Sequence, residues 1–261
     1  MNWRHGSGRM FGNSTQPKDW KFHTAGQTEA VNRLLYVVEN GEAFALLKGS
    51  YGTGKSTVLQ RTADELTGLG RRTIRQNMAS LDCRASLWQL CGALSVFSQT
   101  STDTSALMML VRDELLAREN CHHQTVILLD DADFAQEDTD NVLHLLTSIA
   151  ESSRGALSII ASTERPLPIS LQKRSSLNIR LEPLSKQEAI EFVVRRLAHL
   201  ECPVNKVTDT GWHAIADLGG GLPAQLLRVC EIVHAVTSMQ SEPIDAALVH
   251  EAVAELMPQA A

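Results

Sequence analysis

The feature that most constrains this chain is the run Gly49-Ser50-Tyr51-Gly52-Thr53-Gly54-Lys55-Ser56, which fits G-x-x-x-x-G-K-[ST] at every fixed position. Glycines at this spacing let the backbone curl into a nest of N–H groups around the inner phosphates of a nucleotide. Gly49, Gly52, Thr53 and Gly54 form that nest. Lys55 then reaches the outer phosphates as a point charge, the hydroxyl of Ser56 is placed to ligate Mg²⁺, and Thr57 follows in the same helical turn. The flanks agree. Residues 43–48 form a short apolar run that reads as a buried strand, and residues 56–69 read as a helix whose positive N-terminal dipole faces the phosphates. A glycine-rich turn before an ordinary helix needs neither the lysine nor the serine in register.

Downstream, Thr125-Val126-Ile127-Leu128-Leu129-Asp130-Asp131 is an aliphatic run closed by a carboxylate pair, the pattern of a strand buried on both faces. Its polar end is where α/β sheets place ligand chemistry. Asp130 is there a candidate for organising Mg²⁺, and Asp131 for the base that orients the attacking water. Many ATPases carry Glu at the second place, and Asp reaches about 1.5 Å less, where about 1 Å of misplacement costs roughly a hundredfold in rate. Asp133 offers a further carboxylate nearby. Residues 157–163 form another apolar strand ending in Ser162 and Thr163, whose hydroxyls can sense a terminal phosphate or simply close a turn. Arg174, with Arg165 as competitor, is a candidate to enter a neighbour's site and stabilise charge on the transferring phosphoryl group.

Helical patterns at 28–39, 84–96, 106–118 and 141–151 alternate with strands, including 72–78 and 178–181. The alternation predicts a mostly parallel sheet wrapped by helices. After residue 184 only helices follow, at 185–201, 209–217, 222–238 and 245–256, and prolines absent between Lys18 and Arg165 become frequent. The expected organisation is an N-terminal arm (1–23), an α/β core (24–184) and an all-helical lid (185–261). In the arm, Arg4, Arg9, Lys18 and Lys21 interleave with Trp3, Phe11, Trp20 and Phe22. This is either an arm for nucleic acid or a neighbouring subunit, or a segment whose aromatics pack on the domain, and the second is the simpler reading.

The formal net charge is −6, with 43% hydrophobic and 21% charged residues, an ordinary globular balance that does not advertise nucleic acid. No apolar run approaches the ~18 residues of a membrane span, and no secretory signal is visible at the start. Five scattered cysteines without a C-x-x-C pair read as reduced thiols in a cytoplasm, and Cys121-His122-His123 lacks a second ligand pair. Guanine readers need Asn-Lys-x-Asp. Here Asn205-Lys206 is followed by Val207-Thr208, which favours ATP.

The run from Gln27 to Val38, the phosphate loop, Leu171-Gln172-Lys173-Arg174, the stretch Ile179-Arg180-Leu181-Glu182-Pro183-Leu184-Ser185, Arg196-Leu197 and Gly219-Gly220-Gly221-Leu222-Pro223 together resemble the AAA+ ATPases of the ExeA/GspA type, relatives of the TniB and TnsC transposition ATPases and of origin-recognition ATPases. The match covers roughly residues 22–238. The resemblance implies a P-loop NTPase αβα sandwich followed by a helical lid, with ATP and Mg²⁺ between them. It also implies assembly into homo-oligomers (dimers or rings) in which Arg174 serves the neighbouring site, and work on a protein partner, with DNA a further candidate. The family pattern usually has Arg after the lid-turn proline. Here Ala224 stands in that place, with Arg228 one helical turn on as its candidate substitute. ExeA/GspA proteins continue into a transmembrane segment and a peptidoglycan-binding domain, whereas this sequence stops after the lid, which shifts the expectation toward a soluble regulator or a transposition-type partner. The rival readings are an ATP-binding switch that hydrolyses little, and a small-molecule P-loop kinase.

Overall fold

Strand-forming segments that are apolar at every position must be covered on both faces, and the chain does this with two helical layers. The computed structural model describes residue 20 and residues 22–96, 103–120, 124–237 and 243–256. Its sheet consists of β1 (Phe44–Gly49), β2 (Arg72–Asn77), β3 (Thr125–Asp130), β4 (Leu157–Thr163) and β5 (Leu177–Leu181), all parallel, in the order β2-β3-β4-β1-β5. Every residue of β3 and β4 is buried.

The period-two alternation sorts side chains between the two layers. Ala45 and Leu47 of β1, with Val126 and Leu128 of β3, pack under α1 (Ala25–Glu39) and α2 (Lys55–Gly68). Phe44, Leu46, Ile127 and Leu129 point the other way, to α3 (Cys83–Leu94), α4 (Thr104–Asn120) and α5 (Asp140–Ser152). Each fully buried aliphatic side chain contributes about 1.5–3 kcal/mol relative to exposure. A third apolar cluster joins α7 (Lys186–His199), α8 (Asp209–Gly219), α9 (Pro223–Thr237) and α10 (Ala246–Leu256). The structure is thus a parallel αβα sandwich followed by a helical region. Cys83, Cys91, Cys202 and Cys230 are buried, and burial pushes the Cys230 thiol up to about 12.

Several elements differ from the expectations drawn from the sequence. Helix α1 begins at Ala25 rather than 28, because Thr24 and Gln27 close a reciprocal capping box around what reads as a glycine-containing turn. A short helix α6 (Ile169–Gln172) follows Pro166 and Pro168 where no helix is expected. Helix α7 starts as anticipated, with Ser185 and Glu188 forming its capping box.

The junction between sheet and helical region is pinned by glycine. Leu184 N–H donates to the Gly221 carbonyl at 2.7 Å, and Gly221 has a positive φ of 69°. A Cβ there would lie 2.4 Å from the Leu184 carbonyl oxygen. Gly221→Ala is therefore expected to cost about 1–3 kcal/mol, combining left-handed strain with displacement of the backbone at Leu184. A thermal melt should show it as a drop of several degrees, and an unchanged midpoint would refute this account of the junction.

Candidate functional site

Polar groups converge at the carboxyl edge of the sheet, where three neighbouring strand ends open toward α2 and the lid. The phosphate loop leaves β1 and enters α2 through two residues in the left-handed region, Gly52 (φ 84°) and Gly54 (φ 97°). Gly49 is excluded from carrying a side chain by space instead, since a Cβ would sit 2.8 Å from Thr53 Oγ1 and 2.9 Å from the Leu181 carbonyl. Thr53 Oγ1 donates to Ser50 O at 2.8 Å and braces the curl. Lys55, nearly buried, donates from Nζ to Gly49 O at 2.9 Å and to Ser50 O at 3.3 Å, so its ammonium lies against the loop. No side chain caps α2 at its N-cap Gly54, so the first-turn N–H groups lack a side-chain acceptor there. Ser56 and Thr57 are exposed in that turn.

At the end of β3, Asp130 is buried and receives a hydrogen bond from Ser162 Oγ at 2.5 Å. The same Ser162 oxygen accepts from Asp131 N–H at 3.0 Å. One hydroxyl of β4 thereby fixes both the first carboxylate and the backbone of the second. Asp131 adopts a left-handed conformation (φ 52°), rare for a residue with a side chain. Its carboxylate accepts from Asn77 Nδ2, at the end of β2, at 3.3 Å. Burial and the neighbouring Asp130 charge push the Asp131 carboxyl up, against the opposing pull of Asn77 and Lys55. Thr163 is buried at the end of β4, in register with Lys48 of β1, between the loop strand and the acidic strand.

The structure separates the three acids by what holds them. Asp133, whose side chain is 3% exposed, accepts from Glu164 N–H at 3.1 Å and Arg165 N–H at 2.8 Å, with Arg165 Nε at 3.6 Å. The Arg165 guanidinium also stacks 4.3 Å above the Phe134 ring. Asp133 is thus a clamp between the turn after β3 and the segment after β4, and Asp131 is the acid left with a single amide donor.

Other sequence candidates lie apart from this cluster. Arg174 forms a bidentate pair with Glu151 of α5, with Nε and Nη2 each 2.7 Å from a carboxylate oxygen, and Nη2 also donates to Ser148 Oγ at 2.8 Å. Glu151 is held below the usual carboxylate range by that arginine. Arg228 is exposed on α9. Ala224 is the lid residue at the loop: its N–H donates to Gly52 O at 3.1 Å. In the arm, Trp20 and Phe22 pack on the lid around Phe192, with Trp20 5.2 Å and Phe22 5.5 Å from that ring. The other arm residues named above, and Cys121-His122-His123, lie outside the described residues.

Asn77 and Gln27 were not anticipated from the sequence as site residues. Asn77 has a readable signal, a polar residue closing a strand at the ligand edge. Gln27 reads only as part of a helix start.

A five-stranded parallel sheet in this order, with the Gly49–Ser56 loop after β1 and acids ending β3, is the P-loop NTPase fold. Residues 38–167 match the family described as an AAA domain. It is 27% identical over 229 residues to general secretion pathway protein A of Aeromonas hydrophila, a match taking in 85% of this chain and 42% of that protein. The chain spans less than half the length of this curated relative. Among solved structures it is similar to Cdc6p of Pyrobaculum aerophilum (TM-score 0.73, 15% identity, 94% of this chain and 71% of that one). It is also similar to Drosophila ORC bound to DNA (0.67, 15%, 96% and 72%) and to the Thermotoga maritima RuvB Holliday junction branch migration motor (0.58, 16%, 88% and 68%). At such identities these likenesses show the fold. Among the described residues no helix is long and apolar enough to cross a membrane.

If Asp133 clamps rather than reacts, Asp133→Ala should lower stability by about 1–3 kcal/mol by stranding two N–H groups. Denaturant unfolding measures this, and a variant as stable as the parent would remove the clamp.

Proposed function

We propose that the chain binds Mg²⁺-ATP between the phosphate loop and the lid and hydrolyses it to control its own assembly or to recruit or remodel a macromolecular partner. The observation that carries the reading is the meeting of Lys55, the uncapped start of α2, Asp130 and Asp131 at one sheet edge. These residues fit the nucleotide. The loop's concavity exists only because Gly52 and Gly54 are left-handed, and the Lys55 ammonium, with three donors, holds only neutral carbonyls that a phosphate oxygen outcompetes. They fit Mg²⁺ as well, which keeps most of its waters and takes one or two protein oxygens beside the phosphates; Ser56 and Asp130 supply them. Bound Mg²⁺ would neutralise charge on the phosphate oxygens.

Asp131 orients and deprotonates water in this reading. Its elevated carboxyl is better matched to accepting a proton near neutrality than an ordinary aspartate is. Ser162 holds Asp130 and the turn, and Thr163 presents a hydroxyl between the two strands. Arg174 serves an adjoining subunit once it leaves Glu151, and Arg228 answers for the arginine missing at Ala224. The ATP preference, the core and lid boundaries near residue 184, a homo-oligomeric dimer or ring, a protein partner, DNA contact and a cytoplasmic setting remain parts of this proposal. They are supported by the AAA-domain match and by the likenesses to general secretion pathway protein A and to the fold of ORC bound to DNA.

Lys55→Ala should weaken ATP binding at least thirtyfold by the order-of-magnitude loss of a buried charge contact, about 2–5 kcal/mol. Asp131→Asn should keep binding and lower phosphate release about a hundredfold or more. In the parent, the acid limb of the rate should lie above the ordinary ~3.9 of an aspartate, because the base works only unprotonated and its carboxyl is raised. That limb should vanish in the variant. An Asp131→Asn protein as active as its parent would sink the assignment.

A second reading, an ATP-binding switch that hydrolyses little, draws on the Asn77 amide that holds Asp131. Steady-state phosphate release from Asn77→Ala distinguishes them. The switch reading expects a rise of severalfold over a very low parental rate. An active parent that Asn77→Ala does not accelerate removes it.

A further inference from the structure

The first turn of α1 contains a buried glutamine that the nucleotide reading does not use. Gln27 is only 6% exposed. Its Oε1 accepts from Thr24 N–H at 3.3 Å, and its Nε2 donates to Thr53 O, also at 3.3 Å. The amide is packed against the last glycine of the phosphate loop, since a Cβ at Gly54 would fall 2.2 Å from Gln27 Nε2. A trans peptide is planar, with C=O and N–H on opposite sides. Holding the Thr53 carbonyl toward α1 therefore turns the Gly54 N–H away from α1. The loop needs that N–H for an anion, and its left-handed conformation gives it no side-chain brace of its own at this position.

Gln27 also stands at the end of a short connection to the lid. Its reciprocal partner Thr24 is preceded by Phe22 and Trp20, and both rings lie on α7. Phe22 sits under the Arg195 guanidinium at 4.8 Å. Trp20 faces the fully buried Arg196 at 5.0 Å and the His199 ring at 6.4 Å. Arg196 leaves Nε and Nη1 without a hydrogen-bond partner among the described residues, and its remaining amino group is 3.5 Å from Glu231. The Trp20 ring is thus a principal cover for a buried cation. The segment cannot be lifted from the lid without exposing aromatic surface and that guanidinium.

We propose that Gln27 is a positioning residue of the phosphate loop and the pivot of a strap, formed by Trp20 and residues 22–27, that couples the loop to the lid independently of the hinge at Leu184. Occupation of the loop stiffens the Thr53–Gly54 peptide, the stiffening passes through the Gln27 amide to the Thr24 box, and the aromatic pair carries it to α7. The proposal rests on the nucleotide reading of the loop, so Lys55→Ala accompanies every measurement.

Gln27→Met keeps the volume and removes both hydrogen bonds. Thr24→Ala weakens the same helix start from the other side without touching the loop. With a fluorescent ATP analogue and Mg²⁺, Gln27→Met should bind about three- to tenfold more weakly than the parent, the worth of one net hydrogen bond, while Thr24→Ala binds within twofold. In hydrogen exchange, the analogue should slow α7 amides in the parent, and this protection should disappear in a Trp20→Ala, Phe22→Ala double variant that still binds. Gln27→Met binding within twofold of the parent, with Lys55→Ala binding lost, overturns the positioning role alone. Equal weakening in Gln27→Met and Thr24→Ala reduces Gln27 to helix capping and overturns it too. Protection of α7 that survives in the double variant overturns the strap. Lys55→Ala binding like the parent instead overturns the nucleotide reading itself.

Discussion

The constraint on which the structure depends is that β3 and β4 are buried on both faces, so charge can stand only at their ends. A carboxylate one or two residues earlier in β3 would be sealed between two apolar layers at a penalty of several kcal/mol. Asp130 occupies the last strand position and even there is buried, with Ser162 supplying a donor from the adjacent strand. The parallel arrangement then places the carboxyl ends of β1, β3 and β4 along one edge, and the groups able to handle phosphate are neighbours by topology rather than by sequence. Packing decides where the chemistry can be; the loop decides what it can hold.

The lid is fitted to that edge through backbone contacts. The Ala224 N–H reaches Gly52 O, and a Cβ at Gly52 would lie 3.2 Å from the Ala224 methyl. The start of α9 therefore rests directly on the loop, a closeness that a long side chain directed into this gap would oppose. Gly221 permits the same approach at the hinge, where Leu184 N–H meets its carbonyl. Two glycines without Cβ atoms, rather than a charged side chain, bring the helical region to the Gly49–Ser56 loop.

Much of this was legible because the signals are local and periodic. The phosphate loop is a contiguous pattern, and the fully apolar runs ending in Asp130 and Thr163 announce buried strands. The Ser185-x-x-Glu188 box announces α7, and the five strands and the major helices fall where these patterns place them. What stayed hidden depends on pairing between distant segments. Nothing in the sequence joins Asn77 to Asp131, 54 residues apart, until β2 and β3 are in register. Gln27 looks like a surface helix residue until α1 is laid against the loop. Arg174 was read from the family pattern as a residue for a neighbour, and its engagement with Glu151 follows from α5 and the segment after α6 sharing a face, which no local pattern encodes.

Three carboxylates within four residues present an electrostatic problem, and its solution separates their roles. Like charges this close repel one another, and each of the three is held by a different set of donors. Asp130 has the short Ser162 hydrogen bond, and Asp133 has two backbone N–H donors and an arginine. Asp131 has one amide donor at 3.3 Å, and its carboxyl is raised by burial and by Asp130. Asp131 stands in a left-handed conformation, and its N–H donates to Ser162 Oγ. A single buried hydroxyl on β4 therefore anchors one acid and fixes the backbone of the next. Lengthening residue 131 to Glu would extend its reach but leave this division intact, because it is set by the backbone and by Ser162. The identity of the acid tunes how far the carboxylate extends; the fold determines which carboxylate is available.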